Sequence, residues 1–352
     1  MFVALRDLRA ARGRFLLITL VVTLVALLVS FLSGLTAGLA HQNISAVESL
    51  PGDTVVFADT GGAASFDAST LTAEQVAAWQ AAAGPDGTVD PIGISHGKVD
   101  PRGQASVQVA FFGTTGTAFG NRSATENGTV VLSAGAAKDL GAGTGDSVTI
   151  AGRAFTVAGV HGDDWYSHTP VVWTTLSDWQ AMSPRSGAAT VLAVSGVADQ
   201  AAVNATAHTQ TTSSSGALSA LSAYEAENGS LTLMTVLLFA ISALVIGAFF
   251  TVWTVQRMPD IATLKALGAT SGSLVHDALA QAAIVLTAGV AVGLGITVAA
   301  AAFLGDALPF VLSPATTLLP AAALIVLGLL GAAFALRFLF TTDPLTALGA
   351  GR

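Results

Sequence analysis

The chain contains no cysteine in 352 residues, and only 10% of its positions are charged. Without thiols there is no disulfide staple and no paired-cysteine motif. Six histidines and two tyrosines leave few groups for metal or acid–base chemistry, and among the histidines only His161 and His168 fall close together. Lone surface histidines mostly bind nothing. A G-x-x-x-x-G-K-[ST] phosphate loop is missing, so the chain does not hold ATP in the usual way, and there is no H-E-x-x-H zinc motif. Acidic residues outnumber basic ones 22 to 14, for a net charge of −8, and no nucleic-acid partner is expected.

What is present is apolar. Hydrophobic residues fill 52% of positions. Four runs, at 15–39, 231–255, 279–304 and 317–340, are long enough for the roughly 20 helical residues that cross a hydrocarbon core. The first follows Arg6, Arg9, Arg12 and Arg14, as a signal peptide would, but it is too long for one and lacks a small-residue cleavage site. Lys and Arg near span ends mark the cytoplasmic side. The N-terminal arginines, Arg257 with Lys265, and Arg337 with Arg352 all fall on one side of a four-span chain. The other side receives 40–230, with six basic and seventeen acidic residues, and 305–316, which has no Lys or Arg. The expected order is a cytoplasmic segment 1–14, span 15–39, an extracellular domain 40–230, span 231–255, a cytoplasmic segment 256–278, span 279–304, an extracellular loop 305–316, span 317–340 and a cytoplasmic tail 341–352. No charged residue lies deep in a span, which argues against a proton relay and leaves energy to a partner.

The 40–230 segment reads as a mixed α/β unit with two lobes, held by its own core. Thr72-Ala73-Glu74-Gln75 has the form of a capping box opening a helix to about residue 83, and 199–209 has helical composition. Alternating runs at 54–58, 106–112, 148–150, 155–160 and 170–174 predict strands, with a tight hairpin at Ala151-Gly152. Gly- and Ser-rich stretches at 61–65 and 211–216 predict surface loops. In the spans, Ser30, Gly34 and Gly38 recur every four residues, as do Gly289 and Gly293. Such stripes let helices approach closely, either within the chain or against a second copy.

Between two apolar runs lies a compact charged motif, VQRMPDIATLKALG at 255–268. Met258-Pro259 ends one helix and Pro259 suits the first turn of the next, where its missing N–H is not needed. Asp260 then sits at the positive helix start and Gly268 suits a left-handed cap at its end. Ile261, Leu264 and Leu267 recur every three residues on one apolar face. A helix of this kind either lies on lipid headgroups or contacts something in the cytoplasm.

Four helices with one large domain after the first, the run Arg257-Met258-Pro259-Asp260-Ile261-Ala262-Thr263-Leu264-Lys265-Ala266-Leu267-Gly268-Ala269, and the closing Asp343-Pro344-Leu345-Thr346-Ala347-Leu348 resemble FtsX-like, MacB-type ABC transporter permeases. Val130-Val131-Leu132-Ser133, Gly145-Asp146 and Phe155-Thr156-Val157-Ala158-Gly159-Val160 are similar to that family's core domain. The resemblance implies a membrane α-helical fold of four transmembrane helices, with a large extracellular α/β domain between the first and second. It also implies a transport subunit of a bacterial plasma membrane with no catalytic residues and no intrinsic cofactor or metal, working as a homodimer with both termini cytoplasmic. Two copies of a cytoplasmic ABC ATPase, carrying ATP and Mg, would be its partners. Ile261, Leu264 and Leu267 would fill a groove on that ATPase, with Asp260 and Lys265 on its rim, while Arg257, Pro259 and Gly268 complete the coupling segment.

Shorter runs are similar to the haem-efflux permeases of Gram-positive bacteria. They are Phe31-Leu32-Ser33-Gly34-Leu35, Gly38-Leu39-Ala40, Asn43-Ile44-Ser45, Asp164-Trp165-Tyr166-Ser167-His168, Tyr224-Glu225-Ala226-Glu227, Leu233-Met234 and Gln256-Arg257-Met258-Pro259. His41 departs from an arginine associated with such relatives, and Gly229-Ser230 from a more apolar pair. This second resemblance implies haem, an amphiphile arriving through membrane lipid, as the transported ligand. Ferric haem accepts a tyrosine phenolate, and both tyrosines stand in matched runs. Tyr224, Glu225, Glu227 and Asn228 beside the second span, with Tyr166 and His168 in the external domain, are the candidate polar contacts. Phe31, Leu35, Leu233 and Met234 would line a flat apolar slot near the outer leaflet. The plainer alternatives are that Tyr224 is an interfacial belt residue and Met234 lipid-facing packing. For function, the alternatives are an FtsX-like mechanotransmitter regulating an extracellular cell-wall hydrolase, or an extractor of lipoproteins or peptides.

Overall fold

The computed structural model describes residues 12–101, 105–115, 119–183, 187–305 and 308–336; the tail 341–352, Arg337 and residues 1–11 lie outside them. Leu39–Gly229 forms one compact unit, and Met1–Gly38 with Ser230–Arg352 forms another. Helix α1 (Arg12–Glu48) contributes to both.

The Leu39–Gly229 unit is a sheet with short helices. Its strands are β1 (Thr54–Ala58), β2 (Thr88–Asp100), β3 (Val107–Thr114), β4 (Thr129–Leu132), β5 (Ser147–Ile150), β6 (Arg153–Val160), β7 (Trp165–Tyr166), β8 (Thr169–Thr175), β9 (Val191–Ser195) and β10 (Thr209–Ser213). Between them run α2 (Ala73–Ala82), α3 (Ala134–Leu140), α4 (Leu176–Met182) and α5 (Gln200–Ala207). The sheet order is β10-β1-β9-β2-β3-β8-β4-β6-β5, with β7 added on β8. Strand β2 joins the two lobes, because residues 88–92 pair with β9 while 93–99 pair with β3. One buried cluster gathers Phe57, Phe112, Tyr166 and Trp173; a second holds Phe111, Leu140, Ile150 and Trp179; a third holds Leu71, Trp79 and Leu192. Each large apolar side chain so buried stabilises the fold by roughly 1.5–3 kcal/mol, which lets the unit hold together without disulfides.

Local sequence signals act where expected in several places. Thr72 Oγ1 accepts from the Gln75 N–H at 3.2 Å, and Gln75 Oε1 accepts from the Thr72 N–H at 2.9 Å, so the capping box opens α2. Ala151 and Gly152 both adopt positive φ, 48° and 77°, in the two-residue turn between β5 and β6. Two expectations need correction. The predicted loop 211–216 begins as strand: Thr211, Thr212 and Ser213 pair with Val56, Val55 and Thr54. A Ser/Thr run has no apolar alternation of its own, and here the buried β1 beside it supplies the ladder. The helix expected over 199–209 ends earlier, at Ala207. His208 takes the left-handed cap with φ 51°, and Thr209 starts β10.

Helix α6 (Ser222–Gln256) begins in the Leu39–Gly229 unit and continues into the other, where α7 (Met258–Ala266), α8 (Ser271–Leu304) and α9 (Pro314–Leu336) follow in sequence. Among the described residues, four helices are long and apolar enough to cross a membrane: α1 from Phe15, α6, α8 and α9. Helix α6 starts before residue 231 and α8 before residue 279, so both extend beyond their apolar runs. Close packing rests on small residues. A Cβ at Gly289 would stand 2.7 Å from Val22, and one at Gly293 2.6 Å from the Thr23 carbonyl, while Thr23 Oγ1 donates to the Gly289 carbonyl at 3.2 Å. The stripe expected to receive a helix is filled differently at Gly34 and Gly38. Phe310 and Pro309, from the segment joining α8 to α9, lie against them, and the Val311 N–H donates to the Gly34 carbonyl at 3.1 Å. Ser30 is buried.

Gly293→Leu forces α8 away from the backbone of α1, and overpacking of this kind costs about 1–3 kcal/mol. Thermal unfolding in detergent should show a lowered Tm for Gly293→Leu but not for Gly295→Leu, whose Cβ would meet nothing within 4 Å.

Candidate functional site

Three separate stretches of chain meet at one carboxylate in the Leu39–Gly229 unit. Glu227, in the second turn of α6, lies 3.0 and 3.1 Å through its two oxygens from His168 Nε2. Asn43 of α1, fully buried, donates to the same carboxylate from Nδ2 at 3.2 Å. Ser167 and His168 form the tight turn between β7 and β8, with φ 47° and 60°. Side chains with a Cβ adopt that region at a cost. Here their N–H groups donate to the Asn43 and Gln42 carbonyls of α1 at 3.0 and 2.9 Å, which holds the turn in place.

A second polar set lies on the strand side of the same turn. His41 Nε2 meets the Asp163 carbonyl at 2.9 Å and Asp163 Oδ2 at 3.4 Å, and Trp165 Nε1 donates to Asp163 Oδ1 at 2.8 Å. Hydrogen bonding from His41 outweighs desolvation and holds the Asp163 carboxyl below its ordinary range. Asp164 behaves oppositely. It is buried, and desolvation raises its pKa despite Arg122 at 3.1 Å and the Trp173 indole N–H at 3.2 Å.

The structure sorts the sequence-derived candidates. Tyr224 and Glu227 stand three residues apart on one helix face, and Tyr224 packs partly buried against the core cluster. Glu225 and Asn228 are exposed. His168 joins Glu227, but Tyr166 does not join them as an accessible ligand. It is 3% exposed, with its ring against Phe66, His96 and Phe112, so burial assigns it to the core and removes it as a ligand to a bulky porphyrin. In the membrane unit, Phe31 stacks near Phe310 with ring centroids 5.3 Å apart, Leu35 is half-buried, and Leu233 and Met234 are exposed. Sequence reasoning left Asn43 out of the site. Its only sequence signal was the short Asn43-Ile44-Ser45 match.

The charged motif forms α7, with Pro259 in its first turn and Gly268 just beyond its end at φ 96°. Leu264 and Leu267 are exposed and Ile261 half-buried, while Lys265 lies in the last turn. The side chain of Asp260 lies outside the described residues. Arg257 separates α6 from α7, its guanidinium 5.1 Å from the Trp253 ring centroid and 2.5 Å from Gln281 Oε1.

Gly93-Ile94-Ser95-His96-Gly97 has the G-x-S-x-G spacing of a nucleophile elbow, against the expectation that the sequence holds none. An elbow needs a sharp strand-to-helix turn, whereas these residues lie inside β2, with Ser95 paired to Phe111 and its Oγ accepting from Trp179 Nε1 at 3.0 Å. A cavity of about 340 Å³ beside Ser95, Phe111, Trp179 and Met182 is lined by none of the predicted site residues. Among the described residues, no group of three or more His, Asp or Glu is placed to hold a metal ion.

Residues 15–209 match the MacB-like periplasmic core domain and residues 232–344 match the FtsX-like permease C-terminal region. The chain belongs to the FtsX-like, MacB-type permease family. A relative from Staphylococcus haemolyticus, named hemin transport system permease protein HrtB, is 25% identical over 99% of both chains. A Staphylococcus epidermidis protein of the same name is 26% identical over 59% of each chain. Among solved structures, the periplasmic region of MacB from Actinobacillus actinomycetemcomitans is 14% identical, covers 48% of this chain and 92% of that one, and has a TM-score of 0.36. The extracellular domain of the ABC-type transporter YknZ is 11% identical, covers 46% and 98%, and has a TM-score of 0.33. An FtsX-like permease is a multi-pass membrane subunit of an ABC transporter. Its four spans and the domain inserted after the first are the architecture described above.

A carboxyl with a depressed folded pKa adds stability that is present above its unfolded value, here 3.8, and is lost as pH falls through the folded value. Asp163→Asn should therefore lower the Tm modestly at pH 6, by a margin corresponding to at most about 1 kcal/mol for so exposed a pair. In thermal scans of the full chain, the gap from wild type should close as pH is taken below 3.8.

Proposed function

We propose that this permease is half of the membrane part of an exporter that moves haem, or a similar amphiphile, from the bilayer outward. A separate ATPase pair drives it from the cytoplasm, and two copies of the chain work together. The single observation that carries the haem reading is the full-length likeness to a protein named for hemin transport, at 25% identity over 99% of both chains. Geometry supports it. Three runs matched separately in sequence, around Asn43, His168 and Glu227, converge on one hydrogen-bonded carboxylate. Tyr224 shares that helix face one turn away and offers a phenolate to ferric iron.

The membrane unit carries candidate apolar contacts of its own. Leu233 and Met234 are exposed on α6, and Phe31 and Leu35 on α1 offer ring and methyl surface. Glu225 and Asn228, exposed in the first two turns of α6, are the remaining candidate polar contacts to the ligand. In the cytoplasm, Leu264 and Leu267 leave an apolar edge uncovered on α7, the form of a helix that seats in a partner's groove. The basic residues near span ends orient both termini toward that partner.

Ferric haem titrated into the purified permease should give a saturable shift of its main absorption band. Tyr224→Phe combined with Glu227→Ala should weaken binding roughly tenfold, equivalent to about 1.4 kcal/mol, without loss of monodispersity. No band shift for the wild-type protein would move the substrate to lipoproteins or peptides, or the role to control of a wall hydrolase.

A further inference from the structure

Arg257 is where three helices are fastened together. Its N–H is shared between the Trp253 and Thr254 carbonyls at 3.2 and 3.1 Å, which closes α6. Its own carbonyl accepts from the Ile261 N–H at 3.0 Å, which opens α7. Its guanidinium lies over the Trp253 ring of α6, 5.1 Å from the centroid, and donates to Gln281 Oε1 of α8 at 2.5 Å. Gln281 is 2% exposed on a membrane-spanning helix. A buried amide there needs a partner, and among the described residues Arg257 supplies one to its oxygen.

Few side chains can do both things at once. A guanidinium is planar and can stack on an indole while its edge N–H groups reach an acceptor. Lysine carries a compact charge that can satisfy the amide or approach the ring face, but does not span both in a fixed geometry. A cavity of about 50 Å³ beside this point, lined by Trp253, Ile261, Leu264, Asp277 and Gln281 among others, leaves α7 incompletely packed there, so close contact does not block a shift of α7 at this point. The side chain of Arg257 is then the polar tie that such a shift must carry along.

We infer that Arg257 is a positioning residue for energy coupling: with Trp253 and Gln281 it locks α7 to α6 and α8, so that a displacement imposed on α7 reaches both spans together. This inference rests on the ATPase-docking reading of α7. It makes Arg257 distinct from the docking residues. Leu264 and Leu267 would hold the partner, whereas Arg257 would convert the partner's movement into movement of the spans.

The test uses the full permease reconstituted with its ATPase partner, with ferric haem as the probe. Arg257→Gln, Arg257→Lys and Gln281→Leu are compared with wild type, and Leu264→Asp serves as the docking control. Two quantities are read: partner retained in pull-down, and the change in ATP hydrolysis on adding haem. The expected result is that all three lock variants retain the partner but lose the haem response, with Arg257→Lys failing to rescue it. Gln281→Leu, which keeps the buried volume, guards against simple misfolding, and a monodisperse elution profile is required of each variant. A full haem response in Arg257→Gln and Gln281→Leu would overturn the lock while leaving docking intact. Undiminished pull-down by Leu264→Asp, or no partner retained by wild type, would overturn the docking reading and the lock with it.

Discussion

A bilayer interior offers a peptide group no water to bond, so every partner must come from the protein itself, and that constraint shapes the membrane unit. It makes the four apolar runs helices, and it makes every approach between them a matter of side-chain size. Where α1 meets α8, glycines at 289 and 293 bring backbone against backbone, and Thr23 spends its hydroxyl on a carbonyl of the facing helix. Where α6 meets α9, Gly247 and Gly331 lie against each other in the same way. Polar groups inside the spans are correspondingly few, and each matters more. Gln281 with Arg257 is the clearest case.

Outside the spans the rules are those of an ordinary aqueous domain. Apolar alternation, caps and turn residues place most of the sheet, and a buried aromatic cluster fixes it without disulfides. The elements that sequence leaves unread are those whose pattern comes from neighbours. Strand β2 contains Pro91, Gly93 and Gly97 and is buried on both faces over 91–94, so no alternation appears in it. Trp179 rests where a side chain at Gly93 would stand, which explains a glycine that otherwise looks like a breaker. Strand β10 is all Thr, Gln and Ser, and exists because β1 lies beside it.

The candidate site was legible in its pieces and not in its assembly. Tyr224 and Glu227 share a helix face, a relation readable from spacing alone. That Asn43, 184 residues earlier, would donate to Glu227 is a consequence of tertiary structure. Tyr166 illustrates the opposite error: a rare residue type in a matched run looked chemical, and packing made it structural. The charged segment 255–268 was the most legible of all, because Pro259 and Gly268 punctuate it locally. Its tie to α8 was not, since Gln281 sits in an apolar run with nothing in the sequence to pair it with Arg257.

Transport itself is the central claim, and movement of haem against time tests it most directly. Proteoliposomes holding the permease and its ATPase partner would be loaded with ferric haem in the bilayer. A haem-accepting apoprotein would then be placed on the side of the external domain. The account predicts that ATP speeds the appearance of the acceptor's haem absorption band, and that a hydrolysis-dead partner abolishes the acceleration. Equal rates with and without ATP, in a preparation shown to hydrolyse it, would contradict the account.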